Sequence, residues 1–158
     1  MAENKAKEGV VTLPSGLQYK VLRAGDGDGH PLPGTPCQCH YEGRCAKDWP
    51  SGTKFDSSYD RGAPTAFAPN QVIAGWTEAM QLMVEGVHTP ACRLSAAAFL
   101  AAALLTPSGA VVAGDKWEMY IPSKLAYGDN GRVAGVLVFT MEIIKIQGAT
   151  KPKVKKDD

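Results

Sequence analysis

The sequence has no excess of charge of either sign, because 17 Lys and Arg residues stand against 16 Asp and Glu residues, for a net charge of +1. A nucleic acid partner is not expected, since binding a phosphate backbone requires a surplus of basic residues. Long apolar runs are also missing. The run of Ala, Leu and Phe at residues 95–105 is too short for a membrane span, which needs about 20 apolar residues. We therefore expect no membrane partner.

Cysteine is scarce, with four residues at Cys37, Cys39, Cys45 and Cys92. They are too few and too unevenly spread for the disulfide framework of a small secreted protein. The N-terminal residues are charged where a signal peptide has an apolar core, so we expect a cytoplasmic location. The first three cysteines and His40 could form a soft-metal site, but no C-x-x-C pair accompanies them. We expect buried strand cysteines and no cofactor, with a metal or redox protein as the alternative.

Glycine and proline are abundant, at 17 and 11 residues, and they fall between short apolar runs. Such a distribution favours many tight turns and hence a β-rich fold. Apolar residues make up 44% of the chain and charged residues 21%, which is enough for a packed core. A length of 158 residues predicts a single domain.

Apolar and polar residues alternate in four segments, with the period of a half-buried strand. These are residues 17–21, 37–41, 117–121 and 136–146. In the first segment we expect Leu17, Tyr19 and Val21 to share a face. In the last segment the shared face comprises Leu137, Phe139, Met141 and Ile143.

Helical spacing occurs in the first half of the chain only at residues 73–83, where Trp76, Met80 and Met83 fall at i, i+4 and i+7. This spacing predicts a helix of about three turns. The predicted fold class is α+β, a twisted antiparallel β-sheet wrapped around one short α-helix that covers its apolar face.

Six blocks of sequence, in this order, resemble the FKBP-type peptidyl-prolyl isomerases, the macrolide-binding immunophilins. They are LPSGLQYKVL (13–22), HYEG (40–43), GTKFDSSYDRG (52–62), NQVIAGWTEAMQLM (70–83), KWEMYIPSKLAYG (116–128) and VLVFTMEI (136–143). The stretch AENKAKEGVVTLPSGLQY also resembles the lead-in to the catalytic domain of the macrophage infectivity potentiator branch. The implied organisation is a lead-in at 1–12, an isomerase domain at 13–148 interrupted at about 87–114, and a flexible lysine-rich tail at 149–158.

This resemblance implies a cofactor-free peptidyl-prolyl cis-trans isomerase that assists protein folding. Its substrates would be proline-containing polypeptides, and its inhibitors macrolides of the rapamycin or tacrolimus type. The reaction needs no bond to be made or broken, because the barrier of about 18–20 kcal/mol comes from amide resonance. An apolar, water-poor pocket lowers that barrier if it binds the twisted amide more tightly than the planar one.

The resemblance also assigns residues. Six would be catalytic, namely Tyr41, Phe55, Asp56, Trp76, Tyr127 and Phe139. Four more would bind substrate, namely Arg61, Phe67, Val72 and Ile73.

Within this set Trp76 would form the pocket floor, between aromatic walls. The Ile73 N–H and the Tyr127 hydroxyl would hold substrate carbonyls, and Asp56 with Arg61 would place a polar group at the twisting amide. The alternatives are that the aromatic residues are ordinary core and that Asp56 is a turn former. Tyr59, Trp49 and His40 are expected to be packing or loop residues.

The chain departs from the family pattern in the loop after Tyr127, which passes through DNGRVAG directly to Val136. Relatives carry a longer apolar loop here, and Val133 is the nearest substitute. This departure predicts weaker binding of substrate or macrolide. It also keeps open a second function, a proline-binding or macrolide-binding adaptor or chaperone-like module with little turnover.

A second departure is the segment at residues 87–114. Joining Gly86 directly to Asp115 restores uninterrupted family sequence, so the segment is either a retained intron or a lineage-specific insertion. We expect residues 95–105 to form a weakly ordered or surface-docked helix. Because a loop's length costs little entropy, we expect the fold to survive the insertion.

Overall fold

The computed structural model describes residue 4 and residues 6–86, 114–130 and 133–152. The helix expected at residues 95–105 lies outside the described residues, as do Cys92 and the end of the tail. None of the described helices is long and apolar enough to span a bilayer.

Antiparallel strands dominate the fold, as the alternating segments predict. Their bounds are β1 Val10–Thr12, β2 Gln18–Arg23, β3 Gly29–Pro31, β4 Cys37–Cys45, β5 Lys54–Ser57, β6 Thr65–Phe67, β7 Lys116–Ile121, β8 Leu137–Ile146 and β9 Thr150–Pro152. The main sheet has the order β1-β2-β7-β8-β4-β5, with β6 also paired to β4, and β3 pairs with β9 separately. Single 3-10 turns lie at Ala46–Asp48, Pro69–Gln71 and Ser123–Leu125.

In the described part of the chain, the helix α1 covers the sheet and spans Ala74–Met80. It is shorter than the predicted three turns, although Met83, beyond its end, is still fully buried. Helix and sheet approach closely at Gly75, where a Cβ atom would lie 2.6 Å from Cγ2 of Ile121. The α+β class with a sheet around one short helix is confirmed.

The centre of the sheet agrees with its sequence pattern. Leu137, Phe139, Met141 and Ile143 of β8 are at most 3% exposed, and they belong to one hydrophobic cluster with Trp76. The prediction that they share the core face is confirmed.

The edge of the sheet differs from the prediction, because Val21 is 43% exposed. Its strand pairs with β1 only as far as Lys20, so Val21 has a neighbouring strand on one side alone. Val21 is exposed because β1 ends before it. The alternation of apolar and polar residues in β2 does not indicate where β1 ends.

The C-terminal tail also differs from the expected flexible end in its first residues. Thr150–Pro152 pair with Gly29–Pro31, and Thr35 Oγ1 donates a hydrogen bond to the Ala149 carbonyl at 2.7 Å. Backbone pairing and a single hydroxyl bond produce no apolar periodicity, so the sequence pattern does not indicate them.

The two ends of the atypical segment lie side by side. The Asp115 carboxylate accepts hydrogen bonds from the backbone N–H groups of Val84 (2.8 Å) and Gly25 (2.6 Å), and Asp115 N donates to the Val84 carbonyl at 2.9 Å. A Cβ on Gly114 would lie 2.7 Å from the Gly86 nitrogen. The described residues on either side of positions 87–113 are therefore in direct contact with each other.

Candidate functional site

A cavity of about 510 Å³ opens at the N-terminal end of α1, within the size range of small-ligand sites. Nine of the ten residues assigned by resemblance line it, and Arg61 reaches it only through hydrogen bonds. The lining residues are Tyr41, Phe55, Asp56, Phe67, Gln71, Val72, Ile73, Trp76, Tyr127 and Phe139.

Trp76 lies at the bottom of the cavity and is 5% exposed. Its ring meets those of Tyr41 and Phe139 edge to face, with centroids 5.0 Å apart in both cases. Phe67 makes a similar contact at 5.6 Å. Edge-to-face contacts fix the orientation of each ring, so the cavity floor is rigid and apolar.

Phe55 and Phe139 form the opposite wall, with centroids 5.4 Å apart and planes at 88°. Both rings lie over Gly43 of β4, where a Cβ atom would be 2.5 Å from Cε1 of Phe139 and 2.7 Å from Cζ of Phe55. Gly43 is not among the residues predicted from the sequence. Its signal is a glycine in the interior of a strand, which often marks a close approach.

The polar edge consists of three side chains that bond one another. The Tyr41 hydroxyl donates to Asp56 Oδ2 at 2.7 Å, and Arg61 donates to Asp56 Oδ1 at 2.5 Å and to the Tyr41 hydroxyl oxygen at 2.7 Å. The Arg61 guanidinium also lies 5.5 Å from the centroid of the Tyr41 ring.

These contacts shift the ionisation of the polar edge. Burial alone would raise the pKa of Asp56, but hydrogen bonds from Tyr41 and Arg61 outweigh it and hold the pKa below its usual value. Burial, followed by the hydrogen bond to Asp56, raises the pKa of the Tyr41 hydroxyl. The edge therefore holds an ionised carboxylate and a protonated phenol at neutral pH.

Besides the buried Trp76 indole N–H, two hydrogen-bond donors of the cavity residues have no partner within the part of the chain that the structure describes. Neither the Ile73 N–H nor the Tyr127 hydroxyl donates to another described group. Tyr127 is 54% exposed, so its hydroxyl is available to a bound molecule.

Two residues that are not among those predicted from the sequence hold the loop before α1. The Thr77 hydroxyl lies 2.5 Å from the Pro69 carbonyl oxygen and 3.3 Å from that of Ile73. Gln71 lines the cavity, and its side-chain oxygen accepts from Ala68 N at 3.3 Å. Gln71 lies three positions after Ala68, the spacing at which a Gln side chain commonly bonds back to the backbone N–H at the start of a turn. This spacing is visible in the sequence.

Val133 packs against the hydrophobic core and is not among the described residues that line the cavity. The sequence analysis named it as a substitute for the family's longer loop. The structure does not give it that position.

Cys37 and Cys39 are fully buried in β4, as expected of strand cysteines, whereas Cys45, at the end of the strand, is only half-buried. Burial raises the pKa of the Cys37 thiol to about 12 and also raises that of Cys39, so neither forms a thiolate readily. Within residues 6–86, 114–130 and 133–152, no three His, Cys, Asp or Glu side chains are grouped as metal ligands.

Comparison with known proteins gives consistent matches. The family model for FKBP-type peptidyl-prolyl cis-trans isomerase matches residues 27–89, and the model for the domain amino terminal to it matches residues 1–21. A macrophage infectivity potentiator of Trypanosoma cruzi is 35% identical over 99% of this chain and 66% of its own length. An outer membrane protein MIP of Legionella longbeachae is 34% identical over 94% of this chain and 52% of its own length.

The fold has solved relatives as well. The crystal structure of a peptidyl-prolyl cis-trans isomerase from Pseudomonas syringae is 30% identical, with a TM-score of 0.66, over 93% of this chain and 87% of that one. The chain spans about half to two thirds of the length of the curated relatives that it matches first.

Proposed function

The chain belongs to the FKBP-type peptidyl-prolyl cis-trans isomerase family, and we propose that it catalyses the cis/trans rotation of X–Pro peptide bonds in proline-containing polypeptides. The observation that carries this proposal is the convergence of Tyr41, Phe55, Trp76 and Phe139 on one cavity that has free donors at its rim. Its biological use would be to speed slow prolyl steps in protein folding.

The proposed mechanism depends on the character of the cavity. A prolyl ring would rest on Trp76 between Phe55 and Phe139, and the imide bond would lie next to the polar edge. A planar amide has more charge separation than a twisted one, because resonance is lost on twisting. An apolar cavity therefore disfavours the planar ground state more than the twisted state, which lowers the barrier.

The rim donors would hold the substrate on one side of the rotating bond. In this proposal the Ile73 N–H and the Tyr127 hydroxyl bind substrate carbonyls, so that one side of the bond stays fixed while the other turns. The Tyr41 hydroxyl, itself held by Asp56 and Arg61, fixes the shape of the wall. Arg61 acts as a brace for this edge and not as a group that touches the reacting atoms.

A second candidate function is a proline-binding or macrolide-binding adaptor, or a chaperone-like module, with little turnover. The short connection between Tyr127 and Val136 favours it, since the apolar loop of the relatives is missing beside an exposed Tyr127. A macrolide of the rapamycin or tacrolimus type is a proposed ligand in both cases.

One assay separates the two functions. The full chain would be mixed with a proline tetrapeptide in a coupled isomerisation assay, with and without a competing macrolide. Turnover that the macrolide abolishes supports the enzyme, whereas saturable binding of the same peptide without turnover supports the module.

We also propose a cytoplasmic location, which the free, buried thiols of Cys37 and Cys39 support. The name of the Legionella longbeachae relative points to the outer membrane for that protein. Cell fractionation with antibody detection would test the location, and recovery of the protein in a membrane or extracytoplasmic fraction would contradict it.

A further inference from the structure

Ser58, the residue directly after β5, makes hydrogen bonds to both the carbonyl and the N–H of Tyr41. Its N–H donates to the Tyr41 carbonyl at 2.9 Å, and its hydroxyl oxygen accepts from the Tyr41 N–H at 2.8 Å. The first bond continues the β4–β5 ladder, in which Glu42 pairs with Ser57. The second replaces the bond that a further strand residue would make. Ser58 is fully buried, so water cannot take the place of its hydroxyl.

The same hydroxyl reaches a histidine on the other face of β4. Tyr41 is buried and faces the core, and its neighbour in the strand, His40, is half-buried on the outer face. His40 Nδ1 lies 3.0 Å from Ser58 Oγ. The imidazole stacks on Tyr59 with centroids 4.7 Å apart.

A serine hydroxyl has one proton, and two acceptors compete for it here. The Tyr41 carbonyl oxygen lies 3.2 Å from Ser58 Oγ, and His40 Nδ1 is the other acceptor. When Nδ1 carries no proton, it can accept the serine proton. When Nδ1 is protonated, it donates to Ser58 Oγ, and the serine proton turns to the Tyr41 carbonyl. Both states satisfy the hydroxyl, and they differ in the hydrogen bonding of Tyr41.

We propose that Ser58 is a positioning residue for the cavity and that it links the protonation of His40 to the placement of Tyr41. This inference rests on the proposed function. Ser58 fixes the backbone of Tyr41, and it follows Asp56 by two residues, so one short segment sets both ends of the 2.7 Å bond between the Tyr41 hydroxyl and Asp56. A loosened Ser58 would move the phenol relative to the carboxylate.

Charged and titratable groups from the neighbouring strands lie on the same outer face of the sheet as His40. Glu142 of β8 pairs with His40 across the strands, and it accepts a hydrogen bond from the Tyr59 hydroxyl at 3.1 Å. The others are Glu42 of β4, Lys54 of β5, Lys116 of β7, which lies over the Tyr59 ring, and Arg23 of β2, which is ion-paired with Glu142. A substitution at His40 can therefore also change the interactions of these neighbouring charged groups, and the NMR titration should follow them too.

The first test compares two adjacent buried serines in the full chain. Ser57 is a matched control, because its side chain bonds Asp60, accepting from Asp60 N at 3.3 Å and bonding the Asp60 carboxylate. We expect Ser58→Ala to lower kcat on a proline tetrapeptide by about tenfold or more, since small displacements of aligned groups are costly, with little change in KM. Ser57→Ala should leave both constants within about twofold. Equal losses in the two variants would overturn the positioning role.

The second test does not require turnover and follows NMR signals during a pH titration. In the wild-type protein the Tyr41 ring and the Arg61 side-chain signals should shift with the same midpoint as the His40 imidazole signals. The shift of the Tyr41 and Arg61 signals at this midpoint should disappear in Ser58→Ala and in His40→Asn. A Tyr41 shift that persists unchanged in either variant would overturn the link to His40.

The two tests separate this inference from the proposed function. If the wild-type protein is inactive but shows the common NMR midpoint, the proposed isomerase activity is contradicted and the link through Ser58 is supported. If Ser58→Ala does not fold, His40→Asn supplies the titration test, because it changes a half-buried residue on the outer face.

Discussion

Gly43 lies directly beneath Phe139, with space for a hydrogen atom and not for a methyl group. A Cβ on Gly43 would be 2.5 Å from Cε1 of Phe139. Strand β4 therefore sets the depth of the cavity, because the Phe139 ring rests on bare backbone.

Gly43→Ala should displace Phe139 into the cavity. We expect a loss of about 1–3 kcal/mol in the free energy of unfolding, as for other overpacked sites, and weaker binding of a proline peptide. Urea denaturation and peptide titration measure the two effects. Gly34→Ala is the control, because a Cβ there would be 3.9 Å from its nearest neighbour. Equal effects of the two substitutions on the free energy of unfolding and on peptide binding would show that Gly43 does not determine the position of the Phe139 ring.

The ion pair at the cavity edge predicts a pH-dependent stability. The folded pKa of Asp56 is lower than the ordinary value of 3.8, so its contribution is present above that pH and is lost as the pH falls through the folded pKa. Asp56→Asn should therefore be less stable than wild type at neutral pH, and the difference should shrink in acid. Because Asp56 is 43% exposed, solvent screening keeps the effect small.

Chemical denaturation of both proteins at several pH values measures this difference. Arg61→Gln should remove part of the same pH dependence, because Arg61 is one of the side-chain donors to Asp56. A difference between wild type and Asp56→Asn that is constant from neutral pH to pH 3 would contradict the assignment.

Tyr127→Phe should separate function from stability. The side chain is 54% exposed and its hydroxyl donates to no other described group, so the free energy of unfolding should change by less than about 0.5 kcal/mol. Loss of a substrate hydrogen bond should reduce kcat/KM by about threefold to tenfold. Tyr120→Phe, which removes a hydroxyl bonded to Glu118 outside the cavity, is the control. An unchanged kcat/KM in Tyr127→Phe would remove Tyr127 from the proposed site.

Residues 87–113 should be dispensable for the fold. Replacing them with a short Gly-Ser linker leaves the bonds between Asp115, Val84 and Gly25 in place, and the change in loop-closure entropy should be about 1–2 kcal/mol. Circular dichroism and thermal unfolding would show a folded domain with peptide binding retained. The same deletion combined with Asp115→Ala should be much less stable. An unfolded deletion variant would show that the segment contributes to the domain.

The sequence predicts the centre of this fold better than its margins. Leu137, Phe139, Met141 and Ile143 could be placed because side chains alternate between the two faces of a strand, and a central strand keeps its core face covered along its whole length. Val21 could not, because its exposure depends on where β1 ends. The pairing of Thr150–Pro152 with β3 involves only backbone groups, which leave no pattern in the side chains.

The candidate site shows the same division. The aromatic residues could be assigned because their surrounding strings resemble a known family, whereas spacing alone favours an ordinary core for Trp76 and Phe139. Gln71 and Thr77 were missed because their role is a hydrogen bond to the backbone of a loop. Such bonds depend on the conformation of the loop, which local composition does not determine.

The most direct test of the central claim is NMR exchange spectroscopy on a proline peptide at catalytic concentrations of the full chain. The account predicts exchange between the cis and trans peptide signals at a rate proportional to protein concentration, and suppression of that exchange by a tacrolimus-type macrolide. Peptide signals that broaden or shift on binding, with the cis and trans populations exchanging no faster than in buffer, would contradict it.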